Sequence, residues 1–291
     1  MKSVFEGSGV AIATPFRDGK VDFEALGKMI DFQIANGTDA IVVLGTTGEA
    51  ATLSQEERCE VIKFSAQAIS RRAKFIVGTG SNNTQIAIQN SLFAQSCGAD
   101  GVLVVTPFYN KCTQNGLVEH YKAISDAINV PIIAYNVPGR TGVNILPDTA
   151  VKLAEIDHVC GIKEASGNIS QIVELCHKLK NKMAIYSGDD GLNLLFMTLG
   201  ASGVISVTAN VLPKEIKELV SLAKRGKVAK AGLLHDKLWE INKNLFVEVN
   251  PIPVKFALSH MGLCQNELRL PLTPLQKENE KVVSSSLEKF L

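Results

Sequence analysis

Short apolar runs, many of them β-branched, recur every few tens of residues, and polar segments with helical spacing separate them. The runs are 10–14, 40–44, 75–77, 101–106, 131–136, 159–163, 184–187 and 203–207. Most are continuously hydrophobic rather than alternating. Strands of a parallel sheet covered on both faces have this pattern, because each side chain meets apolar neighbours whichever way it points. Between the runs, Ser54 with Glu57 has the spacing of a capping box, and Asn168 with Gln171 repeats it ahead of Ile172, Val173 and Leu175. Asn36-Gly37, Cys97-Gly98, Leu199-Gly200 and Arg225-Gly226 put glycine where a helix end needs a left-handed residue. Pro213 suits the first turn of a helix that ends near Gly226.

Eight strand–helix alternations favour a (β/α)8 barrel over a doubly wound open sheet, although periodicity is compatible with both. After Lys224 the strand runs stop. Residues 228–245 and 253–261 read as amphipathic helices, and Thr273-Pro274 opens a third with Gln276 in the capping position. The chain is therefore expected to divide into a barrel, residues 1–224, and a C-terminal helical domain, residues 225–291.

Charge and cysteine usage narrow the function classes. Among 291 residues, 30 Lys and Arg stand against 29 Asp and Glu, a net charge of +1. Near-neutrality argues against a general nucleic-acid binder, which needs a basic face for phosphates. No apolar run approaches the roughly 18 residues of a membrane span. The start of the chain, broken by Glu6, Gly7 and Gly9 and halted at Thr14-Pro15, makes a poor signal peptide. Cys59, Cys97, Cys112, Cys160, Cys176 and Cys264 form no C-x-x-C pair and no zinc-like cluster with histidine, so no metal is expected. They read as reduced structural thiols and point to the cytoplasm. The five histidines suggest no site.

In such a barrel, chemistry gathers at the C-terminal ends of the strands. The second run leads into Gly45-Thr46-Thr47-Gly48-Glu49. Hydroxyls between glycines, with exposed N–H groups, suit a carboxylate or a phosphate; an ordinary βα turn is the alternative. No Lys-Ser/Thr pair follows, so this is not a Walker loop, and after Gly78-Thr79-Gly80 the third glycine of a dinucleotide fingerprint is Asn83. The fourth run leads to Tyr109 and the fifth ends near Tyr135, two of only 4 tyrosines. Each is either a proton carrier or a core residue with its hydroxyl on a backbone carbonyl. Arg140, in Pro138-Gly139-Arg140-Thr141-Gly142, can fork onto a carboxylate or lie on the surface. Lys163 ends the sixth run, either as a desolvated nucleophile toward carbonyls or as half of a surface pair with Glu164. One mechanism accommodates all of them. An amine at the barrel centre forms a Schiff base with a keto acid, hydroxyls of Thr46, Tyr135 and Tyr109 relay protons, and a guanidinium holds a second carboxylate. It needs neither metal nor nicotinamide.

At these residues the chain resembles the dihydrodipicolinate synthase family. The matching segments are Gly45-Thr46-Thr47-Gly48-Glu49, Tyr135-Asn136-Val137-Pro138-Gly139-Arg140-Thr141, Gly161-Ile162-Lys163-Glu164-Ala165-Ser166-Gly167, Ser187-Gly188-Asp189-Asp190 and Asn250-Pro251-Ile252-Pro253-Val254-Lys255. The resemblance runs from about Gly9 to Pro274. It implies a (β/α)8 TIM barrel with a C-terminal helical domain, usually in a homotetramer of two tight dimers. It implies a lyase that condenses pyruvate with L-aspartate 4-semialdehyde, the first committed step toward diaminopimelate and lysine, with no cofactor beyond the Schiff base. By the same resemblance, Lys163 forms that Schiff base and Tyr135 passes its protons. Thr46 and Tyr109 complete the relay, with Tyr109 lent by the neighbouring subunit. Thr47 and nearby backbone N–H groups hold the pyruvate carboxylate, Arg140 takes the semialdehyde carboxylate, and Gly188 and Ile205 line the pocket.

Sister pyruvate aldolases, such as N-acetylneuraminate lyase or 2-keto-3-deoxy sugar acid aldolases, share the fold and the lysine. Arg140 and the double threonine favour the synthase, and retention of Lys163 argues against a non-catalytic barrel. In lysine-inhibited members the feedback site uses polar groups that correspond here to Ala50, Ala51, Gln55, Arg58, Asn82, Ile86 and Phe108. Ile86 cannot accept from an ammonium, Phe108 has no hydroxyl, and Arg58 sets one cation against another, so weak or absent lysine inhibition is expected.

Overall fold

Eight parallel strands close into a barrel in the computed structural model, which describes residues 3–291. They are β1 (Gly7–Ala11), β2 (Ala40–Val43), β3 (Lys74–Gly78), β4 (Gly101–Val105), β5 (Ile132–Asn136), β6 (Val159–Glu164), β7 (Ala184–Ser187) and β8 (Gly203–Ser206). Each strand pairs with its neighbours in sequence, and β1 pairs with both β2 and β8. That last pairing closes the ring and excludes the open sheet. The outer helices are α1 (Phe23–Ala35), α2 (Gln55–Ile69), α3 (Thr84–Ser96), α4 (Gln114–Ala127), α5 (Pro147–Leu153), α6 (Ile169–Lys178), α7 (Asn193–Thr198) and α8 (Pro213–Lys224). Then come α9 (Val228–Asn244), α10 (Ile252–His260) and α11 (Lys277–Leu287).

The continuous apolar runs have the expected cause. Outward side chains such as Ile41, Val77, Val104 and Ile162 meet the helices, and inward ones such as Val42, Ile76, Leu103 and Ile133 fill the barrel. Phe5 stacks on Tyr186 with ring centroids 4.5 Å apart, and the Tyr186 hydroxyl donates to the Phe5 carbonyl at 2.8 Å. This plugs the end of the barrel where the strands begin. The outer core extends without a break to Leu238, Ile241, Val254, Leu258, Val283 and Leu287 of the last three helices.

Three sequence expectations shift. The first strand spans Gly7–Ala11 rather than 10–14. Its glycines hide it from a propensity reading, yet the closure needs them. A Cβ on Gly9 would lie 2.8 Å from the Phe5 ring and 3.0 Å from the Val204 carbonyl, and one on Gly203 would lie 2.2 Å from the Gly7 carbonyl. The capping box at Ser54 and Glu57 is present in both halves, with bonds of 3.2 and 2.9 Å. At Asn168 only half of it forms. Its side chain accepts from the Gln171 N–H, but the Gln171 amide bonds Asn144 at 3.1 Å instead of returning. The last helix begins at Lys277, and Gln276 gives it no side-chain bond. Glu248 substitutes, accepting from the Gln276 N–H at 3.0 Å, and a carboxylate there also suits the positive end of the helix dipole. Among the described residues, no helix is long and apolar enough to cross a membrane and no cluster of His, Cys, Asp and Glu is arranged to hold a metal.

Candidate active site

Strand register sets the centre of the site. Tyr135 on β5 lies beside Lys163 on β6, and the Lys163 ammonium nitrogen stands 4.4 Å from the centroid of the Tyr135 ring. Successive side chains on a strand point to opposite faces. Lys163 turns into the barrel, while Glu164 turns outward and is fully buried, accepting from the Asn136 amide at 2.8 Å and the Ser166 N–H at 2.6 Å. The surface pair of Lys163 with Glu164 is therefore ruled out. Burial lowers the Lys163 pKa to about 8, with Asp190 opposing and Arg140 adding to the shift. At pH 7 about a tenth of such an amine is uncharged. Burial raises the Tyr135 phenol, against smaller opposing effects of the Arg140 charge and the nearby Thr46 hydroxyl. Tyr135 consequently keeps its proton at neutral pH and can donate it.

The loop after β2 presents the threonines. The Gly48 N–H donates to Gly45 O and the Glu49 N–H to Thr46 O, both at 3.1 Å, so two turns overlap. Leu44 and Glu49, at φ +56° and +48°, bracket this loop in the left-handed region. Thr47 is buried, and its hydroxyl oxygen accepts from the Asn250 amide at 3.0 Å. Arg140, on a single helical turn Pro138–Thr141, donates to the backbone carbonyl of the same Asn250 at 3.1 Å. A residue between α9 and α10 thus ties the threonine loop to the arginine.

Thr46, Thr47, Tyr135, Arg140, Lys163 and Gly188 meet around one cavity of about 460 Å³. That volume suits two small acids held together. Gly188 is required by contact, since a Cβ there would lie 2.9 Å from Lys163 Cε and 2.8 Å from the Ala165 Cβ. The wall is completed by Asn250 and by Trp239, Lys243 and Phe246, from α9 and the segment after it. Arg140, Lys163 and Lys243 face Asp189, so the lining is predominantly cationic.

The family model for the Dihydrodipicolinate synthetase family matches residues 4–290. The chain belongs to this family. It is 48% identical over 288 residues to the 4-hydroxy-tetrahydrodipicolinate synthase of Clostridium novyi, covering 99% of this chain and 97% of that one. It is 50% identical over 289 residues to the enzyme of the same name from Alkaliphilus oremlandii, covering 98% and 99%. Among solved structures, dihydrodipicolinate synthase from Aquifex aeolicus superposes with a TM-score of 0.96 at 48% identity, covering 98% of each chain. A structure described as the first monomeric dihydrodipicolinate synthase variant gives 0.96 at 42% identity, covering 98% and 97%.

Two of the residues that the family resemblance assigns to the site are not brought there in this member of the dihydrodipicolinate synthetase family. Tyr109 is 91% exposed at φ +69° and lines no part of the cavity. Ile205, paired with Gly9, is fully buried in the barrel interior, and Val207 lines the wall instead. Ala50, Ala51, Arg58 and Phe108 line an adjoining cavity of about 390 Å³ that shares Thr46, Tyr135 and Arg140 with the first. There Arg58 donates to the Ala50 carbonyl at 3.0 Å. Sequence reasoning gave no role to Asp190 or Asn250, although both fall in segments that carry the family resemblance. Asp190 is buried and accepts from the N–H groups of Val207 and Thr208, each at 2.9 Å, and from the Asn193 amide at 2.9 Å.

Proposed function

We propose that this chain catalyses the reaction named for its relatives, 4-hydroxy-tetrahydrodipicolinate synthesis from pyruvate and L-aspartate 4-semialdehyde. The observation that carries the reading is Lys163, buried beside Tyr135 at the wall of a cavity with no carboxylate in ion-pair contact among the described residues. Its uncharged amine adds to the ketone carbon of pyruvate. Proton transfer to the carbinolamine oxygen releases water and leaves the imine. Loss of a methyl proton gives the enamine, whose carbon attacks the aldehyde, and the aldehyde oxygen takes up a proton. The semialdehyde's own amine then displaces Lys163 from the imine carbon, which closes the ring and frees the enzyme.

The proton movements at the imine centre fall to the hydroxyls around it. Tyr135 gives and takes protons there, with Thr46 beside it in the same cavity. Tyr109 joins this relay from a neighbouring copy, which its exposure allows. Thr47 and adjacent N–H groups hold the pyruvate carboxylate, and Arg140 holds that of the semialdehyde. Gly188 leaves room for Lys163, and Ile205 forms the layer beneath the pocket. A lyase for polyhydroxylated acids would have no second small carboxylate for Arg140 to grip. The chemistry requires no cofactor beyond the Schiff base.

The assembly proposed is a homotetramer of two tight dimers, read by light scattering. The proposed division is a catalytic barrel, 1–224, and a helical domain, 225–291. The six cysteines are free, which suits the reducing cytoplasm. The test of function is borohydride reduction in the presence of pyruvate, followed by peptide mass analysis. A reduced pyruvyl adduct is expected on the peptide holding Lys163, and an adduct confined to any other peptide overturns the mechanism.

A further inference from the structure

The loop that carries Thr46 and Thr47 is held from the far end of the chain. Glu49 closes it in a left-handed conformation, which is unfavourable for a residue with a side chain. Its carboxylate is nonetheless fully buried, where an unpaired charge would be very unfavourable. Lys255 of α10 meets it at 2.6 Å, and Lys255 is itself fully buried. The second carboxylate oxygen accepts the Arg269 N–H at 3.2 Å. Phe16 lies against both cations, 4.0 Å from the Lys255 nitrogen and 4.5 Å from the Arg269 guanidinium carbon. Arg269 goes on to grip the next stretch of the same segment, donating to the Thr52 carbonyl at 3.1 Å and to both Glu57 oxygens at 2.5 and 2.6 Å. Upstream, the Thr14 hydroxyl donates to the Gly48 carbonyl at 2.7 Å.

A buried ion pair is a poor device for stability, because desolvation of the two charges offsets most of their attraction, and apolar residues of similar volume do as well or better. What such a pair supplies is position: the two charges have one low-energy arrangement, and a slipped loop would strand both. We propose that Lys255 is a positioning residue for the reaction proposed above, fixing through Glu49 the turn that aims Thr46 and Thr47 at the substrates. The last three helices are then part of the catalytic apparatus without Lys255 touching a substrate.

The experiment replaces the pair together, Glu49→Leu with Lys255→Met, in the full-length protein. The melting temperature is expected to stay within a few degrees of wild type, since the apolar pair offsets the lost attraction. The pyruvate kcat/KM is expected to fall at least about tenfold, mainly through KM, because Thr47 no longer sits squarely at the carboxylate. Amide exchange over residues 45–49 is expected to accelerate while the barrel strands keep their protection. Wild-type KM and wild-type exchange in a folded double variant overturn the proposal. Glu49→Asp is the second variant. It keeps both charges and shortens the reach by one methylene, and a several-fold rise in pyruvate KM is expected; an unchanged KM overturns the proposal just as surely. Failure of the wild-type protein to form a pyruvate adduct would sink the function, whereas the exchange measurement judges the positioning role without any turnover.

Discussion

Lys163 and Lys255 are the two buried lysines among the described residues, and the proposed mechanism puts them to opposite uses. Burial lowers the pKa of both. Lys255 answers it with a carboxylate at 2.6 Å and the Phe16 ring at 4.0 Å, and Glu49 draws its proton affinity back up. Lys163 has the Tyr135 ring at 4.4 Å and a cavity beside it, with Asp190 acting only as a weaker, opposing charge. Desolvation alone therefore does not make a nucleophile. What separates the two is whether a partner claims the ammonium or open volume leaves the amine free to lose its proton and react.

The sharpest way to break this comparison is to make the same change at both positions. Lys163→Met is expected to abolish pyruvate adduct formation altogether. It should leave stability unchanged or raise it by about 0.5–2 kcal/mol, since it removes a desolvated charge that no carboxylate contacts. Lys255→Met is expected to do the reverse. It strands the Glu49 carboxylate in the interior and should cost about 3–5 kcal/mol. Denaturant unfolding of the two variants, set beside borohydride trapping, reads both halves. If the two substitutions move the unfolding midpoint in the same direction by similar amounts, the distinction between the lysines fails.

A smaller effect tests how closely the reactive lysine is placed. Gly188→Ala puts a methyl where Lys163 Cε and the Ala165 Cβ already stand, at 2.9 and 2.8 Å. The amine must swing aside, and a displacement of that size costs roughly 100-fold in kcat. Steady-state assays should show the loss without a comparable change in melting temperature. An unchanged kcat would mean that the Lys163 chain yields freely and that Gly188 does not set its position.

Much of this arrangement was legible in the sequence, and the boundary of what was legible has physical causes. Strands buried on both faces write themselves as apolar runs, so the barrel could be read, except where Gly7 and Gly9 were chosen for close packing rather than for strand propensity. Lys163 stood out because it ends such a run, but the choice between nucleophile and surface pair needed the pleat, which sends Glu164 to the other face. Contacts between distant residues left no local mark. Thr47 and Asn250 are 203 residues apart, and Glu49 and Lys255 are 206 apart. Glu248 capping the last helix is the same kind of contact at shorter range. Tyr109 marks a different limit: it is 91% exposed, and within its own chain it takes no part in the cavity wall.

The smallest effect follows from the Lys163 pKa itself, which burial lowers to about 8. Only the uncharged amine adds to the ketone, so below that value the reactive fraction falls tenfold for each pH unit. The kcat/KM for pyruvate should rise about tenfold per unit from about pH 6 toward about 8 and then level off. The direction of a second shift is fixed by the charges around the amine. Arg140 contributes to the lowering, so Arg140→Met should move the inflection to higher pH. Lys255 is absent from the causes of the shift, and the Glu49→Leu with Lys255→Met pair should therefore leave the inflection in place even as KM rises. Trapping rates at subsaturating pyruvate across this range measure all three inflections. An inflection that moves down when Arg140 is removed would refute the charge assigned as part of the shift. One that follows the Lys255 pair would show that the two lysines are coupled and that the division between clamp and nucleophile is wrong.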